Sequence, residues 1–253
     1  MNVNGMAALV TGGASGLGKA TAQMLAEAGV KVAVLDLNAE AGNAVASEIG
    51  GTFVSTDVTD DASVTEALSK AETVHGIARL LVNCAGIAPA VKTVGKENAP
   101  HPLDTFRKTI EVNLIGTFNV ISKFAARTAT LDEIDGERGV IVNTASVAAY
   151  EGQIGQAAYA ASKGGVVGLT LPVARDLAKL KIRVMAVAPG IFLTPMLEAF
   201  PENVQEALGA QVPHPSRLGK PVEYAQLVAS IIANPMLNGE VIRLDGAIRM
   251  APR

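Results

Sequence analysis

The sequence predicts one α/β domain, residues 1–253, in which a doubly wound parallel sheet of about seven strands is covered by helices on both faces. Three features predict it. Short apolar runs recur without the strict alternation of a strand that has one wet face, which suits strands buried on both sides. Segments with apolar residues at helical spacing separate most of these runs. A glycine-rich turn joins the first run to the first helical segment, an arrangement that places a helix N-terminus beside the end of a strand.

In chain order, Ala7–Val10 is the first strand and Gly18–Ala28 the helix after it. Lys31–Leu35 and Thr52–Ser55 are the next strands, separated by a helix over Ala39–Ile49, and Ala62–Val74 leads to the strand Leu80–Asn83. A long helical stretch, Leu103–Ala129, precedes the strand Val140–Asn143. Ala157–Leu180 then leads to Arg183–Val187, and Val222–Ala233 to the last strand, Val241–Leu244. Two connections exceed ordinary loop length: Gly86–Pro102, with Lys92 and Lys96, and Gly190 to about Pro221, with Phe192, Met196 and Phe200. Both follow strands, on the carboxyl side where open α/β sheets bind ligands, so both are expected to enclose substrate. No change in composition marks a domain boundary, and no repeat is found.

Composition excludes several classes of function. Hydrophobic residues make up 49% and charged residues 18%, which supports a large core and excludes disorder. Lys and Arg number 21 against 24 Asp and Glu, so no basic stripe is expected and nucleic acid is not an expected partner. The one cysteine cannot form an internal disulfide or build a zinc site, which suits a reducing cytoplasm. No window reaches the ~18 uninterrupted apolar residues of a spanning helix, and the first residues lack the pattern of an export signal. No membrane partner and no metal are expected.

Chemistry is concentrated in two places. Thr11-Gly12-Gly13-Ala14-Ser15-Gly16-Leu17-Gly18 follows the first strand and opens into a helix. Side chains at Gly12, Gly16 and Gly18 would hold the backbone away from a pyrophosphate, whereas glycine lets it approach the N–H groups of the helix start. Asp36 ends the second strand, where a carboxylate can accept hydrogen bonds from ribose hydroxyls and repel a 2′-phosphate; Leu37-Asn38-Ala39 supplies no cation for that phosphate. NAD is therefore the expected cofactor. A helix-capping role for Asp36 is the competing reading. Asp57 and Val58 follow the third strand and could meet the adenine edge, although a turn role suits Asp57 equally.

The second place is Ser146, Tyr159 and Lys163. Tyr159 and Lys163 stand four residues apart in a helical stretch and share one face. A free tyrosine has a pKa of roughly 10, too high for a good base at pH 7, and a nearby ammonium would favour the phenolate. Ser146, just past the fifth strand, could donate a hydrogen bond to a substrate oxygen. Helix-surface pairs and loop serines are common, so the trio carries weight only together with the glycine turn.

Together these motifs resemble the short-chain dehydrogenase/reductase superfamily over nearly the whole chain. Thr11–Gly18 resembles its cofactor turn and Asn83-Cys84-Ala85-Gly86 its Asn-Asn-Ala-Gly segment, with Cys84 in place of an asparagine. Asn113, Ser146, Tyr159 and Lys163 match its catalytic set, and Pro189-Gly190 its turn beside the nicotinamide. The resemblance implies a Rossmann-type fold. It also implies that Tyr159 is the general acid/base, that Lys163 lowers its pKa and holds the nicotinamide ribose, that Ser146 positions the carbonyl, and that Asn113 holds a water in a proton relay. The stretches Asn143–Gln153, Gln156–Gly168 and Asn238–Met250 are similar to the type 2 3-hydroxyacyl-CoA dehydrogenases, a subgroup of NAD-linked homotetramers of fatty-acid and isoleucine breakdown. By that resemblance Ser15, Leu17, Asp36, Asp57, Val58, Cys84, Tyr159, Lys163 and Phe192 line the NAD site, and Gln156 faces the acyl chain.

An acyl-CoA thioester needs an apolar trench and cationic groups for its phosphates; Phe192, Leu193, Met196, Leu197 and Phe200 are expected on one side, and Lys92, Lys96 and His101 on the other. A structural or surface role competes at His101 and His214. Two rival functions remain at this level: a hydroxysteroid or other secondary-alcohol dehydrogenase, and a non-catalytic NAD-binding regulator. The intact catalytic set speaks against the second.

Overall fold

The computed structural model describes residues 2–252. All seven strands join one parallel sheet in the order β3-β2-β1-β4-β5-β6-β7. They are β1 Ala7–Thr11, β2 Lys31–Asp36, β3 Thr52–Ser55, β4 Leu80–Asn83, β5 Gly139–Thr144, β6 Ile182–Pro189 and β7 Val241–Leu244. The chain builds outward from β1 to β3, then crosses back to lay β4 beside β1, with Thr11 opposite Asn83. This reversal opens a crevice at the carboxyl ends of β1 and β4.

Period-two alternation assigns each strand residue to a layer. Leu9, Leu35, Leu81 and Ile141 point into one layer, where they meet Val64 and Leu68 of α3 (Asp61–His75) and Phe124 of α5 (Thr117–Thr128). Ala174 of α7 (Ala157–Leu177) joins them. Val10, Val34, Val82 and Val142 point the other way, against Leu25 of α1 (Gly16–Glu27), Val45 of α2 (Ala39–Glu48) and Val228 of α10 (Pro221–Ala233). Both faces of the central strands are dry, which explains their near-continuous apolar sequence.

Three expected elements are altered. The stretch Leu103–Ala129 is helical but not uniform: α4 (Leu103–Ile110) passes through a π-helical turn, Glu111–Gly116, into α5. The expected helix Ala157–Leu180 ends in a 3₁₀ turn from Ala178. The connection Gly190–Pro221 is not irregular throughout, since it folds into α8 (Pro195–Glu198) and α9 (Glu202–Gly209). Pro195 occupies the first turn of α8 and Pro201 immediately precedes α9; a fixed φ and a missing N–H start helices at no cost. A four-residue helix, α6 (Ala148–Glu151), follows Ser146. Among the described residues no helix is long and apolar enough to cross a membrane.

Candidate active site

A cleft of about 550 Å³ opens at the carboxyl ends of β1, β2 and β4. Gly12, Ser15, Gly16, Leu17 and Gly18 form one wall. Asp36, Asp57 and Val58 line it on the β2–β3 side, and Cys84, Tyr159 and Lys163 line it toward β5.

The glycine wall is set by close packing. A Cβ at Gly18 would lie 2.1 Å from the carbonyl oxygen of Gly12, so the helix start can fold back on the turn only without one. Gly12 has a φ of +62°, and a Cβ there would come within 2.7 Å of the Ala85 nitrogen. Ser15 occupies the N-cap of α1 but its side chain makes no capping hydrogen bond. The first-turn N–H groups are thus left for another acceptor, and no acidic side chain occupies that turn. These residues fit a pyrophosphate.

Asp36 does two jobs at once. Its Oδ2 accepts from the Ala14 N–H at 3.1 Å and its Oδ1 from the Asn38 N–H at 2.9 Å, which ties the glycine turn to the end of β2. It is not the cap of α2; Asn38 is, accepting from Ala41 N–H at 3.1 Å. Each Asp36 oxygen keeps a further acceptor site, and the residue lines the cleft. Asp57 holds its own turn by accepting from the N–H and hydroxyl of Thr59, and these bonds keep its carboxyl below its usual range. The turn role and the cleft position coexist.

The structure brings Ser146, Tyr159 and Lys163 together past the end of β5. Ser146 Oγ accepts from the N–H of Ala148, the first residue of α6, at 3.1 Å, and its hydroxyl acts on the neighbouring Tyr159 phenol. Lys163 Nζ donates to the main-chain carbonyl of Thr144 at 2.7 Å and lies 5.9 Å from the centroid of the Tyr159 ring. Burial shapes both groups. It pushes the phenol above its ordinary value, against the pull of the Ser146 hydrogen bond, and it brings the ammonium down to about 8. The balance at the phenol is set by burial, which raises it, against Ser146, which lowers it; the Lys163 ammonium is held by the Thr144 carbonyl.

Asn113 sits in the π-helical turn, fully buried. Its Oδ1 accepts from the Ile87 N–H at 2.8 Å, and its amide donates to the Ile87 carbonyl at 2.8 Å and to Ser162 Oγ at 2.9 Å. Both of its N–H bonds are spent on protein, so the side chain fastens the start of the 86–102 loop beside Lys163 instead of offering a donor to water.

Several expected site residues lie elsewhere. The Phe192 ring is turned away from the cleft: it is buried against Gly219, where a Cβ would stand 2.8 Å from the ring, and it lines a separate pocket of about 100 Å³ with Val212. An apolar ring gains more from that dry contact than from a polar cleft. Pro189 is buried at the end of β6, and its carbonyl accepts from Val147 N–H at 3.1 Å, which steadies the segment after Ser146. Gln156 turns its Oε1 to the Gln153 N–H and lines a neighbouring depression of about 390 Å³, together with Lys92, rather than the main cleft. His101 sets Nδ1 3.2 Å from the Val91 carbonyl and stands edge-on to Phe106, a role within its own loop, and Lys96 lies in a short 3₁₀ turn outside both cavities. Phe200 is exposed, and the Met196 side chain lies outside the described residues. Sequence reasoning missed Thr144, whose carbonyl holds Lys163, and Lys108 of α4, which lines the cleft near Asp57. Nothing in the spacing of either residue marks it.

Residues 6–205 match the short chain dehydrogenase family. A 3-hydroxyacyl-CoA dehydrogenase type-2 of Homo sapiens is 54% identical over 255 residues, covering 99% of this chain and 98% of that protein. One from Drosophila melanogaster is 55% identical over 248 residues, 96% and 97% of the two chains. The crystal structure of a 3-hydroxyacyl-CoA dehydrogenase type-2 from Mycobacterium avium superposes with a TM-score of 0.94 at 45% identity, covering 98% of each chain. The family match spans most of the chain and the relatives nearly all of it, and the chain belongs to the short chain dehydrogenase family.

Proposed function

We propose that this enzyme uses NAD to interconvert 3-hydroxyacyl-CoA and 3-ketoacyl-CoA thioesters. The observation that carries the chemistry is that Tyr159 and Lys163 line the same cleft as the glycine turn, with Ser146 beside the Tyr159 phenol. The full-length similarity to proteins of that name supports the substrate class.

A bound nicotinamide supplies the hydride acceptor or donor and a positive charge in its oxidised form. In the reductive direction the buried phenol, held protonated by its surroundings, gives its proton to the substrate carbonyl oxygen. Ser146 donates to the same oxygen while its own oxygen accepts from the Ala148 N–H. Lys163, charged below about pH 8, stabilises the phenolate that remains and holds the nicotinamide ribose. In the oxidative direction the same groups run backward, with Tyr159 taking the hydroxyl proton. Asn113 keeps the 86–87 backbone in place beside the ammonium. Asp36 selects NAD by accepting from the ribose hydroxyls, and Lys92 meets the CoA portion, a reading supported by its sharing a depression with Gln156. Homotetramer assembly is part of the proposal; Leu103 and Ile115, with Phe118, leave apolar surface on the α4–α5 stretch.

The test is loss of NADH absorbance with purified protein and acetoacetyl-CoA, with NADPH in parallel and Tyr159→Phe as control. The expected result is NADH-dependent turnover that falls about 10²–10⁴-fold in the variant while NADH binding persists. An enzyme that binds NADH yet leaves acetoacetyl-CoA untouched, but reduces a ketosteroid or small ketone, would overturn the substrate assignment.

A further inference from the structure

Tyr224 belongs to α10, on the layer of the sheet opposite the catalytic helix α7, and its side chain is wholly buried. Its hydroxyl nevertheless reaches the carboxyl ends of β4 and β5. It lies 2.7 Å from Thr144 Oγ1 and 3.8 Å from Cys84 Sγ. Thr144 has one hydroxyl proton and gives it to the Asn83 carbonyl, 2.6 Å away, so the phenol must be the donor at the Tyr224–Thr144 contact. Burial pushes the Tyr224 phenol well above its ordinary value and raises the Cys84 thiol as well, so both keep their protons. The bonds then run in one direction: Cys84 thiol to Tyr224 oxygen, Tyr224 hydroxyl to Thr144 oxygen, Thr144 hydroxyl to Asn83 carbonyl. The Asn83 side chain continues the network by donating to Asn143 Oδ1 at 2.9 Å and accepting from Thr11 Oγ1 at 3.3 Å.

The same Thr144 presents its main-chain carbonyl to Lys163 Nζ at 2.7 Å. A buried ammonium with one protein acceptor among the described residues is aimed by that acceptor, and the acceptor is only as fixed as its own side chain and strand end.

We propose that Tyr224 is a positioning residue for the reaction: by pinning the Thr144 side chain across the sheet, it fixes the carbonyl that holds Lys163. Charge placement at the site then depends on a hydroxyl that touches neither substrate nor cofactor and comes from the far layer of the fold. The proposal rests on the reading of Lys163 given above.

Tyr224→Phe removes one oxygen and keeps the buried ring, and Thr144→Val removes the acceptor at nearly constant shape. Each is expected to weaken NADH binding, read by fluorescence, about fivefold to tenfold and to lower kcat by a similar factor, with the KM for the ketone substrate unchanged within about twofold. Thr144→Ser, which keeps the hydroxyl, is expected to remain within about twofold of wild type. The double variant Tyr224→Phe/Thr144→Val is expected to lose no more than the worse single, since both break one chain. The proposal is overturned if Tyr224→Phe melts at a lower temperature yet keeps wild-type NADH affinity and kcat well below its Tm, or if Thr144→Ser loses as much as Thr144→Val. NADH affinity needs no substrate, so a wild-type enzyme that binds NADH but spares acetoacetyl-CoA refutes only the substrate assignment and still tests Tyr224.

Discussion

Replacing Asp36 with asparagine separates the two jobs of this carboxylate. A unit charge at about 5 Å from a 2′-phosphate in an environment of effective dielectric about 20 is opposed by about 3 kcal/mol, and partial exposure of Asp36 reduces this to about 1.5–3 kcal/mol. Removing the charge without adding a cation at Leu37, Asn38 or Ala39 is therefore expected to raise the NADPH-to-NADH ratio of kcat/KM by about tenfold to a hundredfold. The structural job has a separate cost. Asp36 accepts from Ala14 N–H on one oxygen and Asn38 N–H on the other, and asparagine has a single acceptor oxygen. One backbone donor loses its partner, which costs about 1–2 kcal/mol and lowers Tm by about 2–8 °C. The assay is steady-state kinetics with both cofactors, beside thermal unfolding. A folded D36N enzyme whose cofactor ratio stays within twofold of wild type would refute charge repulsion as the selector; an unchanged Tm would refute the tie between the turn and β2.

Three further outcomes follow from the geometry. Gly18→Ala places a Cβ 2.1 Å from the Gly12 carbonyl oxygen, so unfolding should show a loss of about 1–3 kcal/mol, and NADH affinity should fall as the turn opens. Lys163 is charged below about 8 and neutral above it, so NADH affinity should fall as pH rises through about 8, and titration of Lys163→Met should show no such step. Arg243 makes a bidentate pair with Glu151, at 2.7 and 3.0 Å, and a third bond to Asp245 at 2.8 Å, so Arg243→Ala should cost about 2–3 kcal/mol in chemical denaturation. The same pairing holds the Glu151 carboxyl below its ordinary 4.5. Its stabilising effect is complete above that pH and lost as pH falls below it, so the acid limb of the stability curve should flatten in Arg243→Ala.

The sequence determined the layers and the landmarks of the site by itself. Runs such as Lys31–Leu35 and Val140–Asn143 are apolar because both of their faces are buried, and burial on two faces leaves a pattern legible without coordinates. The glycines at 12, 16 and 18, and the four-residue step from Tyr159 to Lys163, are legible for the same reason: backbone approach and helix periodicity are local constraints written in neighbouring residues. Tertiary structure decided what depends on elements distant in sequence. It turned the Phe192 ring into a pocket lined by Gly219, gave both Asn113 N–H bonds to Ile87 and Ser162, and carried Tyr224 to Thr144 across 80 residues of chain. It also buried the Tyr159 phenol, which pushes it above its ordinary value against the pull of Ser146. Desolvation and hydrogen-bond partnership are properties of the packed interior, set by which elements meet there, and residue spacing along the chain does not encode them.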